Sequence, residues 1–341
     1  MTDVRVGVIG AGAIGGTIAA LLDRGGHDVT VVARGANLSA IRERGIRLGG
    51  AEPPAGWGEH TAMVTAVERL DSPADLLVIA TKAQDAAAAL AQNERAAASA
   101  LVLVVQNGLG GTATVASALG RDDIVGGLAL YAASHLEPGA VTITAPGVTV
   151  LGGAGAGSVT ATRAVADVLG TAMPVEVVAD FAGAQWSKLL VNQVNALPAI
   201  TGLSVQQVVA DPRLRTVLVA SMQELVRVAR AGGVRFAPVQ GLNDPLARLF
   251  GALPRRVAAF LPRLMARRMG DVPNPGSTLQ SIRRGQRTEV DFLNGPVVEH
   301  GIRLGVPTPV NATLVAMVHE VEAGGFLPVE EVVRRVIGAV D

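Results

Sequence analysis

Residues 4–33 read VRVGVIGAGAIGGTIAALLDRGGHDVTVVA, and no other stretch restricts the fold as much. A short β-branched run (4–9) leads into Gly10-x-Gly12-x-x-Gly15, then an apolar helical pattern, then a second β-run over 28–33. In such a unit the first glycine permits a tight turn. The second lets backbone approach a pyrophosphate, and the third lets helix pack closely on strand. The spacing alone is weak and suits a glycine-rich turn in another α/β domain. With a strand before it, a helix after it and a second strand beyond, it predicts a dinucleotide site. Gly10, Ala11, Gly12, Ala13, Ile14 and Gly15 would then line the phosphates at the helix N-terminus.

The end of the second strand suggests which dinucleotide. NAD sites usually place Asp or Glu there for the ribose 2′-OH, whereas this strand ends VVARGAN, with Arg34 at the tip and no carboxylate beside it. A guanidinium fork suits a 2′-phosphate, which favours NADP(H) over a merely solvated arginine. Two more strands, DLLVIAT (75–81) and ALVLVV (100–105), flank a helical stretch and continue a doubly wound parallel pattern. Ligands in such sheets bind beyond the strands' C-terminal ends. There the chain places Lys82 after one strand and Asn107, with Gly108, after the next. Each has a bland reading, a solvated lysine or an Asn-Gly turn. From 124 to 178 the pattern changes to short β-runs, expected to complete the sheet partly with antiparallel strands. The predicted fold class is an α/β Rossmann-type domain over 1–179 followed by an all-α domain over 180–341.

In that second region, QWSKLLVNQVNALPAITG holds one of two lysines in the chain. The 29 basic residues comprise Lys82, Lys188 and, by difference (29 − 2), 27 arginines. Lys188, Asn192 and Asn195 are spaced by four and three, which predicts one face of a single helix, bent and ended by Pro198 and Gly202. One ammonium and two amides among Leu, Val and Ala suit neither an apolar core nor a solvated face in an arginine-rich chain. They suit a polar cleft. Further on, Ser277 precedes a helical stretch, and Thr288 with Asp291 reads as a capping box starting a helix at Glu289. From spacing alone, Glu289 is ordinary first-turn chemistry.

Composition excludes several classes of function. Net formal charge is zero, so no global field favours nucleic acid or an acidic membrane surface. The chain has no cysteine, which removes disulfides, thiol nucleophiles and thiolate metal sites and fits a cytoplasmic location. The first residues show no basic signal-peptide region, and no apolar run reaches the roughly 18 residues a membrane span needs. The five histidines are scattered without ligand spacing, so no metal is expected.

Together, GAGAIGG, TKAQD, QNGLG, WSKLLVNQVNA and STLQSIRRGQRTEVDFLNG resemble the ketopantoate reductase (2-dehydropantoate 2-reductase) family along nearly the whole chain. The resemblance implies a Rossmann domain joined to a helical domain, with NADPH and a 2-oxo acid as ligands. It implies that Lys188 is the general acid and Glu289 an active-site glutamate that also touches the cofactor. Asn107, Asn192, Asn195 and Ser277 would bind substrate, with Lys82 and Asn107 beside the nicotinamide and Arg34 on the 2′-phosphate. A lysine can release its proton to an alkoxide, which an arginine barely does. Family members often carry the second asparagine eight residues after the lysine, where this chain has Ala196.

The arginine-rich segment 245–271 reads as amphipathic helix, a dimer face or lid rather than a membrane anchor. The expected activity is NADPH-dependent reduction of a branched 2-oxo acid, ketopantoate first. The alternatives are another 2-oxo acid giving a D-2-hydroxy acid, or a non-catalytic NADP-binding regulator.

Overall fold

In the computed structural model, which describes residues 4–50, 57–153, 155, 157–269 and 273–340, the chain divides into two units between Phe181 and Ala182. The first unit holds twelve strands among its described residues. In chain order they are β1 (Arg5–Ile9), β2 (Asp28–Val32), β3 (Ile46–Gly50), β4 (His60–Ala62), β5 (Thr65–Val67) and β6 (Leu76–Ile79). Then follow β7 (Leu101–Val105), β8 (Val125–Ala129), β9 (Ala132–Ser134), β10 (Ala140–Ala145), β11 (Thr149–Gly152) and β12 (Val175–Val177). Eight form one sheet in the order β12-β11-β8-β7-β6-β1-β2-β5. Every neighbouring pair is parallel except β8 and β11. The chain runs outward from β1 to β2 on one side and to β6 on the other. The turns after β1 and β6 therefore flank the point where ligands bind in such sheets.

A second sheet, β4-β3-β10-β9, was not foreseen. Its strands are three to six residues long, and β3 and β10 pair across ninety residues of sequence, so local pattern carries no trace of it. It explains why AIGGTIAALLDR, the helix Ala13–Arg24, is apolar nearly all round. Residues 15–22 are all buried, because the helix packs on β1 and β2 and also on β3, β4, β9 and β10. Gly16 allows the close approach, since a Cβ there would lie 2.8 Å from Val141.

Between β11 and β12 runs a helix, Ser158–Gly170, where only short β-runs were expected. Its Val and Thr residues favour strand, yet Ala161, Val165 and Leu169 recur every four residues and are buried, so packing overrides propensity. The stretch between β6 and β7 splits into helices Ala86–Ala91 and Glu94–Ala97. Buried Asn93 ends the first, donating to the Ala89 carbonyl and accepting from the Leu70 amide, both at 2.7 Å. At the end of this unit the Phe181 ring fills the space that glycine leaves at 126 and 152. A Cβ at 126 would lie 2.1 Å from the ring, and one at 152 would lie 2.7 Å from the Phe181 Cβ and 3.1 Å from the ring.

The described residues of the second unit are helical, apart from turns and one isolated bridge. Its centre is the helix Pro212–Ala231, started by Pro212 and by Asp211, which accepts from the amides of Arg213 and Leu214 at 2.7 and 3.2 Å. Most other helices of the unit pack around it. The arginine-rich segment is three helices, Asp244–Ala252, Arg255–Ala258 and Phe260–Arg268, broken at Pro254. Ala247, Phe250, Ala258 and Leu261 face the unit's interior, while Leu249 and Val257 stay exposed among arginines. Gly270 and Asp271, which close the segment as read from sequence, lie outside the described residues. Among the described residues no helix is long and apolar enough to cross a membrane.

Candidate functional site

The glycine turn in the first unit is built by contacts that leave no room for side chains. Gly10 has φ +102°, in the left-handed region, and a Cβ there would lie 2.9 Å from the Thr81 nitrogen. The turns after β1 and β6 thus touch. A Cβ on Gly15 would lie 1.9 Å from the Gly10 carbonyl oxygen, so the helix sits directly on the turn. Gly12 differs: among the described residues a Cβ there would meet nothing within 4 Å. It precedes the helix Ala13–Arg24, whose N-terminus has neither a side-chain cap nor an acidic residue in its first turn. Free amide donors, the positive end of the helix dipole and open space beside them fit a bound pyrophosphate.

The residues around this turn complete a donor-rich rim. Asn37, in the helix Gly35–Arg44, donates to the Ala11 carbonyl at 2.8 Å and accepts from the Gly139 amide at 2.8 Å. It pins the turn, a role local sequence gave no reason to assign. Arg34 precedes that helix, is exposed, and donates to Gln92 Oε1 at 2.5 Å. At the tips of β6 and β7, Lys82 and Asn107 are half-buried. Gln106 donates to the Thr81 carbonyl at 3.0 Å, and among the described residues the buried Thr81 hydroxyl has no hydrogen-bond partner. A buried hydroxyl left open beside a glycine turn suits a polar ligand group. This constellation fits a dinucleotide.

The second unit holds the remaining residues. Lys188 is half-buried on the helix Phe181–Asn192, between fully buried Ser187, Leu189 and Leu190. Burial lowers its pKa from 10.5 to about 8, while the Glu289 carboxylate acts in the opposite direction and sustains the ammonium. The lysine and glutamate singled out from sequence, a hundred residues apart, are therefore electrostatic partners.

The single polar helix face does not form as expected. The helix ends at Asn192, a 3-10 turn occupies Gln193–Asn195, and a new helix runs Ala196–Thr201. Pro198 is the physical reason: it has no N–H to return to the Val194 carbonyl, so the ladder is interrupted before it. Gly202, at φ +74°, ends the new helix. Asn192 stays with Lys188, but Asn195 falls on the turn. The Asn195 side chain is buried and bonds backbone: its oxygen accepts from the Ser277 amide at 3.0 Å and its nitrogen donates to the Asn192 carbonyl at 3.0 Å. It ties exposed Ser277, second residue of the helix Gly276–Arg283, to the end of the lysine helix. Gly276 makes this possible, since a Cβ there would lie 2.5 Å from the Asn195 oxygen.

The capping box also fails to form. Glu289 itself is the N-cap of the helix Val290–Leu293. The Thr288 hydroxyl accepts from the Val290 amide at 3.3 Å, but the Thr288 amide donates to Glu322 at 2.6 Å and Asp291 binds His319 at 2.8 Å. Partners about thirty residues away displaced the local motif. Among the described residues no cluster of His, Asp and Glu is placed to hold a metal ion.

The sequence profile described as ketopantoate reductase PanE/ApbA matches residues 6–155, and that of its C-terminal domain matches 180–322. The chain belongs to the ketopantoate reductase family. A 2-dehydropantoate 2-reductase of Archaeoglobus fulgidus is 30% identical over 322 residues, covering 94% of this chain and 98% of the relative. A ketopantoate reductase structure from Ralstonia eutropha JMP134 is 31% identical, with a TM-score of 0.77 over 93% of this chain and 98% of that one. A D-mandelate dehydrogenase complex with NADH and anilino(oxo)acetate shares the fold at a TM-score of 0.75 and 20% identity, over 93% and 98% of the two chains. The family's curated relatives are oxidoreductases, and its fold is the Rossmann-like sheet with a helical second domain described above.

Proposed function

We propose that the chain reduces a 2-oxo acid to a 2-hydroxy acid with NADPH, and that the acid is 2-dehydropantoate, giving (R)-pantoate for pantothenate and coenzyme A synthesis. The observation that carries this reading is a half-buried lysine on the helix Phe181–Asn192, its ammonium opposed in charge by Glu289, in the ketopantoate reductase family. Gly10, Ala11, Gly12, Ala13, Ile14 and Gly15 would hold the diphosphate, Arg34 the 2′-phosphate, and Lys82 and Asn107 the nicotinamide end. NADPH, when bound, supplies hydride to the ketone carbon.

The chain's own residues handle the charge. As the carbon–oxygen π bond opens, negative charge collects on oxygen, and the Lys188 ammonium stabilises it and passes it a proton. Lys188 is left as a neutral amine and regains its proton from water. Glu289 keeps the ammonium populated near neutrality, against the cost of burial. Asn192 and Ser277 would bind the substrate's carboxylate or hydroxyl oxygens, while Asn195 holds Ser277 in place.

Purified enzyme should oxidise NADPH with ketopantoate. Turnover of an aromatic 2-oxo acid without turnover of ketopantoate would move the substrate assignment. Cofactor binding without turnover of any 2-oxo acid would leave a regulator. The reduction rate should hold below pH 8 and fall as pH rises through Lys188's value, because the protonated form is the donor. A flat profile from pH 7 to 10 would contradict the acid role. Arg34→Ala should raise KM for NADPH by about tenfold or more while leaving KM for NADH nearly unchanged, as expected for loss of a charged phosphate contact. Equal effects on both cofactors would remove Arg34 from the 2′-phosphate.

A further inference from the structure

Gln193 and Asn294 stand five residues after Lys188 and Glu289 respectively, and their side chains meet. Asn294 Nδ2 donates to Gln193 Oε1 at 2.8 Å and to Asn311 Oδ1 at 2.9 Å. Asn311 Nδ2 donates to Glu224 Oε2 at 2.7 Å and to the Ser221 carbonyl at 3.1 Å. Glu224 also accepts from the amides of Val310 and Asn311, each at 2.9 Å. Gln193, Ser221, Glu224, Asn294 and Asn311 are at most 2% exposed.

The carboxylate gives this network a direction. The Asn311 amine must face Glu224, so its oxygen faces Asn294. The Asn294 amine then serves two oxygens, one of them on Gln193. The Ser221 hydroxyl lies 2.8 and 2.9 Å from the same two oxygens, but its one hydrogen can serve only one. Asn294 is therefore the donor that reaches both.

Side-chain bracing is needed here because backbone order is short at both places. The helical ladder stops immediately after Asn192, and Glu289 caps a helix of four residues. Apolar packing alone permits sliding, whereas buried hydrogen bonds fix orientation.

We propose that Gln193 and Asn294 are positioning residues: their bond, oriented through Asn311 by Glu224, fixes the separation between the Lys188 ammonium and the Glu289 carboxylate. The proposal rests on Lys188 being the proton donor. Glu289 is the charged group acting on Lys188. Glu224, at the far end, is raised by burial and opposed by the Asn311 and Val310 amides and by Arg227. His300, edge-on to Trp186 of the lysine helix, is held below its ordinary value by burial, with Arg303 lowering it further and Glu299 opposing.

With two lysines in the chain, protein labelled with [13Cε]lysine should give two side-chain signals, assigned by Lys82→Arg. The wild-type Lys188 signal should titrate near 8. Asn294→Ala and Gln193→Ala, approaching from opposite ends, should each lower that midpoint, because Glu289 loses its hold while burial remains. The shift should stay smaller than that of Glu289→Gln. Each should reduce kcat by about tenfold, as loss of orientation does, with KM for NADPH within about twofold.

Folded variants with the wild-type midpoint and a wild-type alkaline limb would overturn the brace while leaving the lysine's role intact. A wild-type Lys188 titrating like an ordinary lysine would instead overturn the acid assignment. If both variants unfold, side-chain amide exchange in the wild type decides: an Asn294 amine exchanging as fast as an exposed amide would overturn the brace, and a protected one supports it.

Discussion

Lys188→Ala is expected to lower kcat for 2-oxo acid reduction by about 10²–10⁴-fold, the usual range for loss of a positioned acid, with Kd for NADPH within about twofold. Truncation removes both the proton and the positive charge that meets developing alkoxide. It also leaves Glu289 facing a gap where its ammonium partner stood. Lys188→Arg separates the two contributions: it keeps the charge but scarcely releases a proton at any working pH. It should recover a minor part of the rate and lose the alkaline limb near 8. Steady-state kinetics with a fluorescence titration of NADPH would decide; near-normal turnover in the alanine variant would end the acid assignment.

Gly15→Ala is expected to abolish usable NADPH binding, raising Kd by about a hundredfold or more, as for overpacking of roughly 3 kcal/mol. The added carbon would lie 1.9 Å from the Gly10 carbonyl oxygen, a backbone atom that cannot rotate aside. Either the helix lifts from the turn or the turn opens, and both displace the amides that face the diphosphate. Gly12→Ala is the comparison. Its Cβ meets no atom of the described residues within 4 Å, so the apo fold should keep its melting temperature and lose affinity only through contact with the ligand itself. Equal melting temperatures and equal affinities for all three proteins would mean that the turn does not hold the cofactor.

Features set by short-range chemistry were legible from sequence. The glycine turn, the strand tips carrying Lys82 and Asn107, and the helix bearing Lys188 and Asn192 follow from residue type and spacing over a few positions. What escaped depended on distant partners. Asp291 looked like half of a capping box, yet binds His319 on another helix. Asn195 kept its helical spacing on paper, but Pro198 broke the ladder and turned its amide to Ser277. The β3–β10 pairing and the bonds among Gln193, Asn294 and Asn311 join residues roughly twenty to over a hundred positions apart. Sequence showed the Asn in DFLNG without showing what it touches. Lys188 and Glu289 could be named from the resemblance, while their electrostatic pairing needed the fold.

The burial of the helix Ala13–Arg24 between two sheets bears on the order of events during synthesis. The glycine turn lies at residues 10–15, yet its helix is apolar on nearly every side and needs β10, which ends at Ala145, to cover it. At ribosomal rates of about 5–20 residues per second, the nascent helix waits roughly 6–24 seconds for that cover. Until then a sticky segment lies open to chaperones and to neighbouring chains. The glycine turn is thus translated well before the strand that completes the cover of its helix.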